Sequence, residues 1–209
     1  MKKISLLITL LPILAIITAC GGHDGTYYRV ECNVASELGV DSVSLMLVKE
    51  DYGSVYDAGR VGVDGVLQAF VFEGHIEEPC VAYLKFGNDT TAMLFVLEPG
   101  LTQMTIGAKE LIISGGDANH EYMTYLKCRN ALLAEKRRNH EEYLRNVASD
   151  STISVAVERQ YLTRDSVLCD SLERYTVSSI NRGSLASKII FDRYINTISR
   201  HNLQNIHKK

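Results

Sequence analysis

From Thr26 to about Ser114 the chain alternates apolar and polar residues with a period of two. Tyr28, Val30, Cys32 and Val34 fall on one side of an extended backbone, and Arg29, Glu31 and Asn33 on the other, because successive Cβ atoms of a strand point to opposite faces. Similar runs recur at Val43 to Val48, Leu67 to Phe72, Val81 to Phe86, Ala92 to Leu97, Leu101 to Ile106 and Leu111 to Ile113. Turn-forming groups separate them: Asp64-Gly65, Glu73-Gly74, Gly87-Asn88-Asp89, Glu98-Pro99-Gly100 and Gly107. Connections this short leave no room for crossover helices, which argues against a parallel sheet. The pattern predicts an antiparallel β-sandwich or partial barrel.

After Gly115-Gly116 the period becomes helical. Asp117 is placed to cap a helix by accepting from its first N–H groups. Tyr122, Leu126, Leu133, Leu144 and Val147 then recur along one face. Ala148-Ser149-Asp150 interrupts the pattern, and Asp150 or Ser151 can cap a second helix with Ile153, Val157, Tyr161, Leu168, Leu172 and Tyr175 inward. Asn181-Arg182-Gly183-Ser184 closes it and opens a third, carrying Ala186, Ile189, Ile190, Phe191, Tyr194 and Ile198. The short break predicts an antiparallel helix hairpin. The fold class read from the pattern is α+β: an N-terminal antiparallel β-sandwich or partial barrel over residues 26–114, then a helical hairpin plus third helix over 115–209.

Composition narrows the function classes. The 209 residues are 46% hydrophobic and 22% charged, which supports a buried core. Lys+Arg total 22 against 25 Asp+Glu, a net charge of -3, so no nucleic-acid partner is expected, since such binders carry a basic excess.

The first residues carry an address. Lys2 and Lys3 precede an apolar run from Ile4 to Ile17, the layout of a secretory signal peptide over residues 1–19. The run is shorter than the ~20 apolar residues of a membrane span. Ile17-Thr18-Ala19-Cys20-Gly21 resembles the bacterial lipobox, which implies cleavage before Cys20 and acylation of that cysteine. Gly21-Gly22-His23-Asp24-Gly25 then reads as a flexible tether, so that residues 20–25 form a lipidated linker. The expected location is the cell envelope of a Gram-negative-type bacterium, at the outer membrane and facing the periplasm, with the lipid as membrane partner.

The stretch Gly65-Val66-Leu67-Gln68-Ala69-Phe70-Val71-Phe72-Glu73-Gly74-His75-Ile76-Glu77-Glu78-Pro79 resembles a domain of unknown function found in bacterial lipoproteins. So do Phe95 to Gly100, Ser114 to Tyr122 and the helical segment Asn181 to Tyr194. In longer relatives that domain commonly precedes a thioredoxin-like thiol:disulfide oxidoreductase domain, whose Cys-x-x-Cys pair does the redox chemistry. Here the cysteines are Cys20, Cys32, Cys80, Cys128 and Cys169, and no two stand three apart. No counterpart of the catalytic domain is expected in these 209 residues, and its activity is not carried over.

Other chemistry is sparse. In an oxidising compartment Cys32, Cys80, Cys128 and Cys169 allow three disulfide connectivities. An antiparallel hairpin would bring Cys128 and Cys169 near one level, although both lie off the main apolar stripes. Cys32 and Cys80 read as small buried hydrophobes. His120-Glu121 and His140-Glu141 each begin a His-Glu-x-x-His zinc motif, but Thr124 and Leu144 stand where the second imidazole belongs. His140 is read as a structural histidine bordering the helix interface, and His201 and His207 as lying on a frayed end. Lys136-Arg137-Arg138, flanked by Glu135, Glu141 and Glu142, reads as a solvated helix face with local ion pairs. No catalytic, cofactor-binding or metal-ligating residue is assigned, and no cofactor; the one assigned site is lipidation at Cys20. The reading is a non-catalytic, lipid-anchored module that binds an envelope protein or a small ligand. The alternatives are an accessory subunit to a separate thiol:disulfide oxidoreductase, or an enzyme with an unrecognised site.

Overall fold

The computed structural model describes residues 25–35, 38–40, 42–48, 55–62, 69–87, 92–107, 111–149 and 155–206. Cys20, His207 and the proposed caps Asp150 and Ser151 lie outside the described residues. The strands are β1 (Tyr27–Val34), β2 (Ser42–Val48), β3 (Val55–Gly62), β4 (Ala69–His75), β5 (Cys80–Phe86), β6 (Ala92–Leu97), β7 (Gly100–Ile106) and β8 (Leu111–Ser114). They form two four-stranded sheets, ordered β4-β1-β7-β8 and β3-β2-β5-β6. The helices follow: α1 (Asp117–Ser149), α2 (Val155–Ile180), α3 (Leu185–Tyr194), a 3-10 turn at Ile195–Thr197, and the short α4 (Arg200–Leu203). The class is α+β, with the sheets first and the helices second.

The alternation places the core as expected. Val30, Cys32, Phe70, Phe72 and Met104 of the first sheet meet Val43, Leu45, Ala82, Leu84 and Phe95 of the second, all buried. Strand β6 departs from the rule. Phe95, Val96 and Leu97 are all buried in succession, because α1 and α3 cover the outer face of its sheet. Ala186, Ile189 and Ile190 of α3 are fully buried and join the sandwich core to the helical layer.

Three features differ from the pattern. Strand β3 has no clear alternation, and its pairing with β2 slips between Leu45 and Met46, where Gly59 and Asp57 face them. A bulge of this kind adds a residue on one strand and breaks the period of two. The segment Glu73-Gly74 is not a turn but part of β4, with Gly74 opposite Tyr28. A Cβ there would come within 2.8 Å of the Tyr28 hydroxyl, so glycine makes room for the ring. Finally, β1 and β7 pair in parallel, Tyr28 with Gly100 through Val34 with Ile106. The chain between them needs no crossover helix, since it is occupied by β4 of the same sheet and the four strands of the second.

The helices also depart from the predicted stripes. Tyr122 and Tyr125 are buried at the base of α1, while Leu144 near its far end is exposed. In α2 the buried residues cluster at the C-terminal end, from Leu168 to Ile180. Ser184 caps α3, its hydroxyl accepting from the Ser187 N–H at 3.1 Å. The segment Ser199 to Asn202, expected to fray, is pinned. The Glu173 carboxylate accepts from the Ser199 N–H and hydroxyl and from Asn202 Nδ2, at 3.1, 2.6 and 2.7 Å, and exposed His201 sits on the helix so held.

Candidate functional site

The junction between sandwich and helices is built by α1. Its N-terminus lies at the end of the sandwich where β1 begins: Gly115 (φ 101°) packs on Leu101 and Thr102, next to the Gly100–Tyr28 pair. The cap comes from outside the helix. The carboxylate of Glu98 holds the N–H groups of Ala118 and Asn119, while Asp117 sits in the first turn. Burial raises the Glu98 pKa, outweighing those two hydrogen bonds, and nearby Asp117 raises it further. Its Oε2 is buried without a hydrogen-bond partner, against Gly116.

Asn119 then fastens the helix to the sheet. Its Oδ1 accepts from the Val96 N–H at 2.9 Å and its Nδ2 donates to the Val96 carbonyl at 2.6 Å. Strand β6 is an edge, so this buried amide satisfies backbone groups that a further strand would otherwise pair. One turn on, the hydroxyl of buried Tyr122 accepts from Arg193 Nη1 at 3.2 Å, and Arg193 Nη2 donates to the Ala92 carbonyl at 3.2 Å. Burial pushes the Tyr122 phenol up, and that of Tyr125 up to about 12. Tyr125 shares a hydrogen bond with Thr176 at 3.1 Å and stacks on Tyr175.

Beyond this latch an open groove of about 720 Å³ runs between α1, α3 and the ends of β6 and β8. Its apolar wall is Met93, Leu111, Met123 and Leu126, all partly buried against the core. Its polar side carries His120, Thr124, Lys127, Asn130 and Arg193. The second concavity, about 190 Å³ on the outer face of the first sheet, is smaller and polar. There Arg29 pairs with Glu73 and, at 2.7 Å, with Glu31. The Arg29 and Gln103 hydrogen bonds hold the Glu31 carboxyl below its usual range.

Past Asn130, α1 and α2 project as an antiparallel arm. Polar contacts line its seam. Lys136 Nζ donates to Cys169 Sγ at 2.8 Å and pairs with Asp165 at 3.5 Å; the Cys169 sulfur leads the causes that raise the Lys136 pKa. Arg164 lies 3.5 Å from both Glu135 and Glu142. Tyr143 stacks on Tyr161 with centroids 4.3 Å apart, and the Tyr161 hydroxyl meets His140 Nδ1 at 3.1 Å.

The singled-out cysteines and histidines that lie among the described residues can be placed. Cys32, Cys80, Cys128 and Cys169 are free thiols. The hairpin does not bring Cys128 and Cys169 to one level: Cys128 sits beside Tyr175 and Cys169 beside Lys136, eight residues and about 12 Å further along α1. A disulfide needs Cα atoms about 4.4–6.8 Å apart. Cys32 is buried between the sheets, where burial pushes its thiol up to about 12. His120 lines the groove, and His140 borders the helix interface through Tyr161. Among the described residues no three His, Cys, Asp or Glu side chains gather as a metal site. Met123 and Lys127 carried no sequence signal beyond helical periodicity, and Asn119 and Arg193 none beyond lying in the stretches that carry the family resemblance.

Residues 28–122 match a domain of unknown function, DUF4369. No curated protein matches the chain. The DUF4369 match covers the sandwich and closes at Tyr122, inside α1. It therefore includes Glu98, Asn119 and Tyr122, the residues that join the first helical turns to the sheet. His120 falls within it, whereas Met123, Leu126, Lys127 and Asn130 of the groove lie beyond.

Proposed function

We propose that this chain is a lipid-anchored, non-catalytic binding module of the bacterial cell envelope, held at the outer membrane by acylated Cys20 and facing the periplasm. The placement of the start of β1 and of the arm at opposite ends of the sandwich supports this reading. The N-terminal strand β1 starts beside Gly100, at the same end as the start of α1. From there α1 runs in the direction of β7 until Lys127 and Asn130 stand by Gly107 and Leu111, at the other end. Thirteen residues of helix advance about 20 Å, matching a seven-residue strand of about 23 Å. Residues 131–149 continue for about 28 Å more. A protein tethered through residues 20–25 would thus present the arm on the side away from its lipid. Acyl anchoring supplies about 0.8 kcal/mol per buried CH₂, enough for stable attachment only with more than one chain.

The arm's partner, in this proposal, is another envelope protein. The resemblance of residues 65–79 to domains that precede thioredoxin-like domains makes a separately encoded thiol:disulfide oxidoreductase the first partner to test. Fractionation checks the anchor: Cys20→Ala is expected to move the protein from the membrane to the soluble envelope fraction, and continued membrane attachment after normal signal cleavage refutes it. Cross-linking from cysteine-free positions on the arm, such as Arg138, checks the partner. Enrichment of a Cys-x-x-Cys protein there supports the accessory role, and cross-links confined to the sandwich refute the arm as the contact surface.

A further inference from the structure

The groove at the head of the sandwich has the chemistry of a ligand site distinct from both anchor and arm. Its volume, about 720 Å³, lies within the ~300–1,000 Å³ typical of small-molecule sites. One wall is apolar and supplied by two methionines, whose unbranched thioethers adapt to irregular shapes. The opposite side bears the basic side chains of Lys127 and Arg193, with Thr124 and Asn130 three residues either side of Lys127 on α1, and none of the described lining residues is a carboxylate. Lys127 forms no ion pair among the described residues. Arg193 spends one N–H on Tyr122 and one on the Ala92 carbonyl, which fixes its orientation and leaves three of its five donors. A fixed guanidinium and an ammonium with no ion pair among the described residues, over an apolar trough, are complementary to a carboxylate, phosphate or sulfate joined to a hydrocarbon body.

We propose that this groove binds a single-chain anionic amphiphile, its head between Lys127 and Arg193 and its tail along Met93, Leu111, Met123 and Leu126. Calorimetric titration of the detergent-free protein with dodecanoate, below its micelle threshold, tests this. One saturable site is expected, with acetate and dodecyltrimethylammonium failing to displace dodecanoate. Lys127→Glu is expected to weaken binding by about tenfold or more, since it places like charge at the head. Arg138→Glu, on the arm, is expected to leave it unchanged. Should Lys127→Glu not fold, Lys127→Gln serves, with a smaller loss expected. Wild-type affinity in a folded Lys127 variant, equal binding of the cationic probe, or the lack of any saturable site overturns the proposal. So does binding to phosphatidylglycerol vesicles without a one-to-one dodecanoate complex, which would make the feature a membrane-facing surface instead.

Discussion

The lower and upper parts of α1 belong to one helix but are held by different physics. At the base, Asn119, Tyr122 and Tyr125 are almost fully buried against the sandwich, α2 and α3. Along the arm the seam is made of Lys136, Asn139, His140 and Tyr143 against Tyr161, Arg164, Asp165 and Cys169. Several apolar side chains there point outward: Leu144, Val155, Leu162 and Val167 are all at least half exposed, while Leu132 and Leu133 are half-buried and Leu168 is buried. Burial of a large side chain contributes about 1.5–3 kcal/mol, whereas exposed ion pairs contribute ~0–1. The base is therefore part of the cooperative core, and the arm is a region of low local stability that can open while the sandwich stays folded.

The sharpest way to break that contrast is to empty the base. Tyr122→Ala removes a fully buried ring and the acceptor of Arg193. A loss of about 3–5 kcal/mol in global stability is expected, measured as the midpoint of urea unfolding. A loss no greater than that of an arm variant would show that the two regions share their stability equally.

Asn119→Ala comes next. It orphans the N–H and carbonyl of Val96 at a buried sheet edge, at about 1–3 kcal/mol for each group left unsatisfied. Hydrogen exchange at the Val96 amide is expected to rise together with that of the first turns of α1, because one side chain joins both. Exchange that rises in the helix alone would mean that the edge strand is protected by something else.

Tyr161→Ala acts on the arm. It removes the stack on Tyr143 and the contact with His140, worth about 0.5–1.5 kcal/mol beyond area burial for an aromatic pair. Faster exchange of arm amides is expected, with an unfolding midpoint of the sandwich close to that of the wild type. Equal loss at both places would join arm and base into a single unit.

These contrasts explain what could be read from the chain beforehand. Strands β1, β2, β4, β5, β7 and β8 were legible because each has one face on the core, so side-chain alternation reports burial directly, whereas β6 was legible only as an apolar run, since both its faces are covered. Strand β3 was not, since its glycines and the slip opposite Leu45 and Met46 erase the period. Leu144 looked like a core residue from spacing alone; periodicity finds a helix face but not whether a partner covers it. The groove was illegible for a related reason. Lys127 and Arg193 are far apart in sequence, and only the packing of α3 across α1 and β6 brings them to one cleft.

The smallest expected effect sharpens the comparison through pH. Glu98 sits over the first turn of α1, and burial raises its pKa more than the Ala118 and Asn119 N–H groups lower it. A carboxyl whose folded pKa exceeds its unfolded value stabilises the fold while protonated, and that contribution is lost as pH rises through the folded pKa. Glu98→Gln keeps an acceptor for the helix N–H groups but cannot ionise. Relative to wild type, the variant is therefore expected to gain stability as pH rises from the ordinary glutamate range near 4.5 toward neutrality. The side chain is partly open to solvent, which limits the size of the effect. Stability curves for both proteins across that window, with arm exchange followed in parallel, check it. The base amides alone are expected to respond, and a slope of opposite sign would mean that the helix N-terminus favours the Glu98 carboxylate more than its burial penalises it.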